Sequence, residues 1–111
     1  MQTTFKFEPH THTAETSKCG RIPACELVET HHALGFSSLA VTDHLHETYI
    51  QLLYCRDDWN TCVDRLLDGY RRAKARADEL NMFLLMGIEL RFVESDNDYL
   101  IYGADEDFLR A

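Results

Sequence analysis

No stretch of this 111-residue chain approaches the roughly 20 consecutive apolar residues that cross a bilayer. Its first residues, with Lys6 but no apolar block behind it, lack the organisation of a signal peptide, so a cytoplasmic location away from membranes is expected. Basic residues are scarce: 11 Lys and Arg stand against 19 Asp and Glu, a formal charge of −8. That balance argues against the electrostatic footprint of a nucleic-acid binder, and direct polyanion binding is not expected. Proline (2) and glycine (5) are too few and too scattered to make a linker, and neither repeats nor low-complexity segments divide the chain. One domain spanning 1–111 is expected, and a hydrophobic fraction of 45% is enough for a real core. Cys19, Cys25, Cys55 and Cys62 form no Cys-x-x-Cys pair, so a structural zinc knuckle is not indicated, and without an export signal reduced thiols are expected rather than disulfides.

What is present begins with Phe5-Lys6-Phe7-Glu8-Pro9-His10-Thr11-His12-Thr13. The alternation over Phe5–Phe7 predicts a half-buried strand, and Pro9 predicts the end of its ladder pairing. His10 and His12, two apart on an extended backbone, project to the same side and can converge on one ion. A polar loop follows over Thr13–Arg21, then a helix over Ala24–Leu34 opened by Pro23 and stopped by Gly35. His31 and His32 lie about 100 degrees apart around its axis and read as helix-surface or boundary residues. Ser38–Thr42 predicts a second strand, ending in Asp43-His44. Leu45–Asp58 reads as a loop or short helix, with Tyr49, Ile50, Leu52, Leu53 and Tyr54 as its apolar members and Trp59 as an anchor.

Between Thr61 and Leu80, Val63, Leu66, Tyr70, Ala73, Ala77 and Leu80 step by three or four, the stripe of a helix on a sheet. The Arg71, Arg72, Lys74 and Arg76 charges opposite that stripe suit a solvated face near a helix C-terminus better than a phosphate site. Asn81 closes the helix. The apolar run Met82–Ile88 predicts a strand covered on both faces, leading into Glu89. Asp98–Gly103 predicts a fourth strand, with a short helix after Asp105–Asp107. This order of elements belongs to the α/β class with a mainly parallel sheet.

Ligands of parallel α/β sheets gather at the carboxyl ends of the strands. Here those ends carry His10 and His12, then Asp43 and His44, then Glu89. A lone histidine or glutamate in such a place is usually structural; three successive strands delivering metal-competent side chains to one edge point to a metal site. No serine or cysteine nucleophile with a base partner emerges.

Pro9-His10-Thr11-His12-Thr13, Glu26-Leu27-Val28-Glu29 through Gly35-Phe36, Leu39-Ala40-Val41-Thr42-Asp43-His44 and Gly87-Ile88-Glu89 together resemble the polymerase and histidinol phosphatase family of metal-dependent phosphoesterases, the PHP domains. The resemblance implies the N-terminal portion of a distorted (β/α)7 barrel with two or three divalent ions such as zinc, manganese or iron. It places His10 and His12 on one ion, Glu89 as a bridge between ions and His44 on another. Many members carry a further ligand after the first pair, for which Glu15 and Cys19 are the candidates here. Others carry one around the fourth strand, where Asp98 and Asp105 stand. Family members continue through further strands and ligands, and related barrels run to roughly 250 residues. The chain is therefore expected to be incomplete, its missing half coming from further sequence, a second copy covering the open edge, or another chain.

The activity implied is hydrolysis of a small phosphate monoester or nucleotide by a metal-bound hydroxide, with Asp43, His44 and Glu89 as the catalytic group and Asp43 orienting His44 or acting as a base. Two further readings stand beside it: a half-barrel that binds metal or a partner without turnover, and an amidohydrolase-like metalloenzyme.

Overall fold

A computed structural model describes residues 5–47 and 58–111. The elements are β1 (Phe7–Thr11), α1 (Ala24–Ala33), β2 (Ser38–Leu45), α2 (Trp59–Glu79), β3 (Phe83–Arg91), β4 (Asp98–Tyr102) and α3 (Glu106–Arg110). The strands form one sheet in chain order, with β1–β2 and β2–β3 parallel and β3–β4 antiparallel. This is the mainly parallel α/β arrangement expected. Of the segment Leu45–Asp58, residues 48–57 lie outside the described residues, and Tyr49, Ile50, Leu52, Leu53, Tyr54 and Cys55 with them.

Both long helices end as their sequences require. Gly35 adopts φ +85°, with Phe36 N donating to His31 O at 2.9 Å and Gly35 N to His32 O at 3.0 Å. Asn81 does the same at φ 56°, with Met82 N donating to Ala77 O at 2.9 Å. In each a left-handed residue just past the helix lets the next amides satisfy the last carbonyls. At the other end of α2, the Asp58 side chain accepts from Asn60 N at 3.0 Å, and Trp59 opens the helix while its Nε1 donates to Leu109 O at 2.6 Å.

The helices cover one face of the sheet. Leu27 and Val28 of α1 and Ala73 and Ala77 of α2 pack on Leu39, Val41 and Leu84; farther along, Val63, Leu66 and Leu67 pack on Leu45 and Ile88. Alternate residues of a strand point to opposite faces. Ala40, Thr42 and His44 of β2 and Leu85, Gly87 and Glu89 of β3 therefore share the other face. Coverage on both faces of β3, expected from its apolar run, is incomplete: Phe83 is 65% exposed, and Leu85 and Met86 are half-buried.

Three strand boundaries differ from expectation. β1 starts at Phe7 and runs through Pro9, with its register shifted between Glu8 and Thr11, and Phe5 lies exposed before it. Because β1 is an edge strand of this sheet, the missing proline N–H costs no ladder bond on its open side. β2 does not stop at Thr42, nor β3 at Ile88; they stay paired to Leu45 and Leu90. Asp43, His44 and Glu89, which looked like loop starts, are strand residues, His44 and Glu89 on the uncovered face and Asp43 on the covered one. The sheet is also curled: Tyr102 of β4 donates its hydroxyl to Pro9 O of β1 at 2.7 Å, although the strands are three positions apart, about 14 Å in a flat sheet.

The basic face of α2 is spent on surface ion pairs, as its composition suggested. Arg72 meets Asp68 at 3.1 Å, Arg76 meets Glu29 at 2.9 Å and Glu79 at 2.6 Å, Arg71 meets Glu106 at 3.0 Å, and Lys74 pairs with Asp78.

Candidate metal centre

The parallel register of β2 and β3 sets His44 directly beside Glu89. His44 Nδ1 lies 3.0 Å from Glu89 Oε2. From β1 and the residue after it, His10 and His12 reach the same carboxylate: His12 Nε2 is 2.8 Å from Oε2 and His10 Nε2 is 3.4 Å from Oε1. The two Nε2 atoms stand 3.2 Å apart. Three imidazoles and one carboxylate from three strands thus meet at one spot.

The geometry fits a divalent ion. Nitrogen and oxygen ligands about 2.1 Å from one ion stand about 3.0–3.4 Å from each other in tetrahedral or octahedral arrangements, and three of the four separations here fall in that range, with His12 to Glu89 slightly shorter at 2.8 Å. Glu89 is buried, and although Oε2 is within ion-pair range of two rings, neither approach has the angles of a hydrogen bond. Lone pairs aimed at a common centre, rather than donors aimed at acceptors, give that pattern. Burial, followed by the neighbouring His12, pushes the His44 imidazole below its ordinary 6.5 while Glu89 pulls it up. The neutral ring so favoured is the form that binds metal.

Asp43 does something other than orient His44. It faces the helix side of β2, buried, and its carboxylate accepts from Thr13 N at 2.7 Å, Thr13 Oγ1 at 2.8 Å and Ser17 Oγ at 2.7 Å. Burial pushes its carboxyl above the ordinary 3.8, opposed by those hydrogen bonds and by His12. Ser17 Oγ in turn accepts from His44 N at 3.1 Å, so the link from Asp43 to His44 runs through Ser17 and the backbone. Thr13 is fully buried against α2, and its Oγ1 lies 1.8 Å from the point a Cβ on Gly69 would occupy. Thr16 Oγ1 closes the contact, donating to Arg65 O and accepting from Gly69 N.

The remaining candidates are held elsewhere. Both Glu15 oxygens accept from Ala24 N, at 2.9 and 3.1 Å, which caps α1. Asp98 forms a fork with Arg91, 2.7 Å to Nε and 2.9 Å to Nη2, and Asp105 caps α3 by accepting from Phe108 N. Cys19, by contrast, comes to the cluster: its Sγ is 3.1 Å from His12 Nδ1. His31 keeps to its own helix, with Nδ1 2.8 Å from Leu27 O. Sequence reasoning missed His46, whose ring centroid is 5.6 Å from that of His44. The signal was there: His44-Leu45-His46 repeats the spacing of His10-Thr11-His12.

The architecture is a curled, mainly parallel α/β half-barrel with a histidine–carboxylate cluster on its uncovered face that could hold a metal ion. No protein-family profile matches the chain, and no curated protein is significantly similar to it. Solved structures do match. One is a two-domain protein containing a predicted PHP-like metal-dependent phosphoesterase from Bacteroides vulgatus ATCC 8482, with TM-score 0.64 and 14% identity over 87% of this chain and 25% of that one. Another is a protein with a proposed assignment as a metal-dependent phosphoesterase from Bifidobacterium adolescentis ATCC 15703, with TM-score 0.54 and 23% identity over 86% of this chain and 26% of that one. The chain thus has the fold of part of a PHP-like barrel and spans about a quarter of the length of these structures. Among the described residues, no helix is long and apolar enough to cross a membrane.

Proposed function

We propose that this chain is part of a metal-dependent phosphoesterase of the PHP type, acting in the cytoplasm on a small phosphorylated substrate. The observation that supports it most is the convergence of His10, His12 and His44 on the Glu89 carboxylate, every approach within 3.4 Å. Zinc, manganese or iron, two or three ions in a complete site, suit such a set of imidazole and carboxylate donors. Bound divalent ions supply Lewis acidity toward a phosphoryl group. The residues of this chain hold and orient that charge: Glu89 from the floor of the site, His12 and His44 from its walls, His10 from its exposed rim. Asp43 acts at one remove, fixing the Thr13–Ser17 loop against β2.

Phosphate release from a panel of small phosphate monoesters and nucleotides, with added manganese or zinc, tests the reading. Activity is expected to fall about 100-fold or more in His10→Ala and Glu89→Ala, since loss of an outer-shell partner alone commonly costs 10–100-fold. The second reading, a half-barrel that binds metal or a partner without turnover, draws on the quarter-length overlap with the solved structures. Metal binding without phosphate release from any member of the panel, even after further barrel sequence is restored, favours it.

A further inference from the structure

We propose that Arg91, clamped by Asp98 at the mouth of the metal centre, grips the phosphoryl group of the substrate, and that the cavity beside it takes the uncharged alcohol part of a small phosphate monoester. The inference rests on the reading of the site as a metal centre and adds a substrate contact to it. Among the described residues, Arg91 is the single lysine or arginine of the sheet. It stands two residues beyond Glu89 on β3, so both side chains leave the same, uncovered face, roughly 7 Å apart along the strand. A phosphoryl group whose oxygens bind an ion at about 2.1 Å and accept from a guanidinium at about 2.8 Å spans roughly that gap.

The antiparallel register sets Arg91 opposite Asp98, whose carboxylate accepts from Nε at 2.7 Å and from Nη2 at 2.9 Å. That fork fixes the plane of the guanidinium and uses two of its five N–H donors, leaving the others for an anion. Asp98 also offsets the charge of Arg91, so bound ions supply the attraction and Arg91 the direction. A cavity of about 180 Å³, lined by His46 and Arg91, opens beside the fork. His46 joins it to the centre, its ring centroid 5.6 Å from that of His44. Glu47 and Asp96 line the same cavity. A second phosphate or a polynucleotide would meet those carboxylates as like charges, whereas a neutral alcohol would not. Phe92 and Val93, both exposed, give such an alcohol an apolar side to lie on.

Phenylphosphonate, a monoester analogue whose carbon–phosphorus bond resists hydrolysis, is the probe, and calorimetry reads its affinity. The zinc-loaded chain is expected to bind it, and Arg91→Gln to weaken that binding about tenfold or more, the loss of a charge-assisted hydrogen bond. Zinc affinity, measured by competition with a chelator, is expected to change less than about threefold in the same variant, because Arg91 is no ligand. Arg91→Lys is expected to recover part of the loss, since it restores the charge without the fork. A merely structural Arg91–Asp98 pair would shift Tm and leave the affinity for the analogue unmoved. The para-carboxylated phenylphosphonate, with a second anion at its far end, is expected to bind the unaltered chain at least about threefold more weakly, and the difference to shrink when Glu47→Gln and Asp96→Asn are combined. Equal phenylphosphonate affinity in Arg91→Gln and the unaltered chain, or no binding to a chain that holds zinc, overturns the clamp and leaves the metal centre standing. Equal affinity for the two phosphonates overturns the uncharged alcohol. A chain that takes up no zinc overturns both the clamp and the centre.

Discussion

Asp43 shows how much one buried carboxylate can organise without touching the chemistry. It holds three donors, and Asn in its place offers one acceptor oxygen and an amide group that faces donors already committed. Asp43→Asn is therefore expected to lower stability by about 1–3 kcal/mol, read as a lower denaturant midpoint at unchanged slope. Because the Thr13–Ser17 loop buttresses His44 N, affinity for a divalent ion is expected to weaken in the same variant. The sequence placed Asp43 beside His44 and so suggested that it orients the ring. Adjacent residues of a strand point to opposite faces, and only the continuation of β2 to Leu45 turns that rule against the suggestion.

At the level of elements, the contact between the Thr13 loop and α2 depends on Gly69. Alanine at a helix interior ordinarily gains about 1 kcal/mol over glycine. Here its methyl group would fall on the buried Thr13 hydroxyl, and overpacking of this kind costs about 1–3 kcal/mol or more. Gly69→Ala is expected to destabilise on balance, by about 1–2 kcal/mol. The loss should shrink in a Thr13→Ala background, so the double-mutant cycle reports a coupling that propensity alone does not produce.

The β3–β4 hairpin carries its own pH dependence. The Arg91 guanidinium holds the Asp98 carboxyl below its ordinary 3.8. A depressed carboxyl contributes stability that is present above 3.8 and lost as pH falls through the folded value. Asp98→Asn is expected to lower Tm slightly at neutral pH and not at pH 2, with metal affinity unchanged; weaker metal binding would restore Asp98 as a ligand. The effect is small because the pair is exposed.

How legible these elements were depends on what their neighbours supply. α2 could be read because its stripe of Val63, Leu66, Ala73 and Ala77 faces a sheet along its whole length. His10 and His12 could be paired because a two-residue period survives the Pro9 irregularity. Glu15 and Asp98 could not be placed, since each has a local partner, Ala24 N or Arg91, whose claim depends on backbone geometry the sequence does not spell out.

For the molecule as a whole, a ligand that binds only the folded chain stabilises it, by about 2.7 kcal/mol at a hundredfold excess over Kd. Zinc or manganese is expected to raise Tm, a chelator to reverse the rise, and Glu89→Gln to abolish it, as measured by calorimetry. The same curvature that lets Tyr102 reach Pro9 leaves the inner face of β2 and β3 concave and only partly lined, with Phe83 and Leu100 exposed.

The pairing of His44 with Glu89 has a consequence for how the chain reaches this state. A slip of β3 against β2 by a single residue would turn the carboxylate toward the helices and bring a leucine or isoleucine into its place. Only the native alignment sets Glu89 beside His44, so an ion captured during folding would reward the correct strand and leave its misaligned rivals without that gain. The cation would then act as an inspector of assembly before it served any substrate.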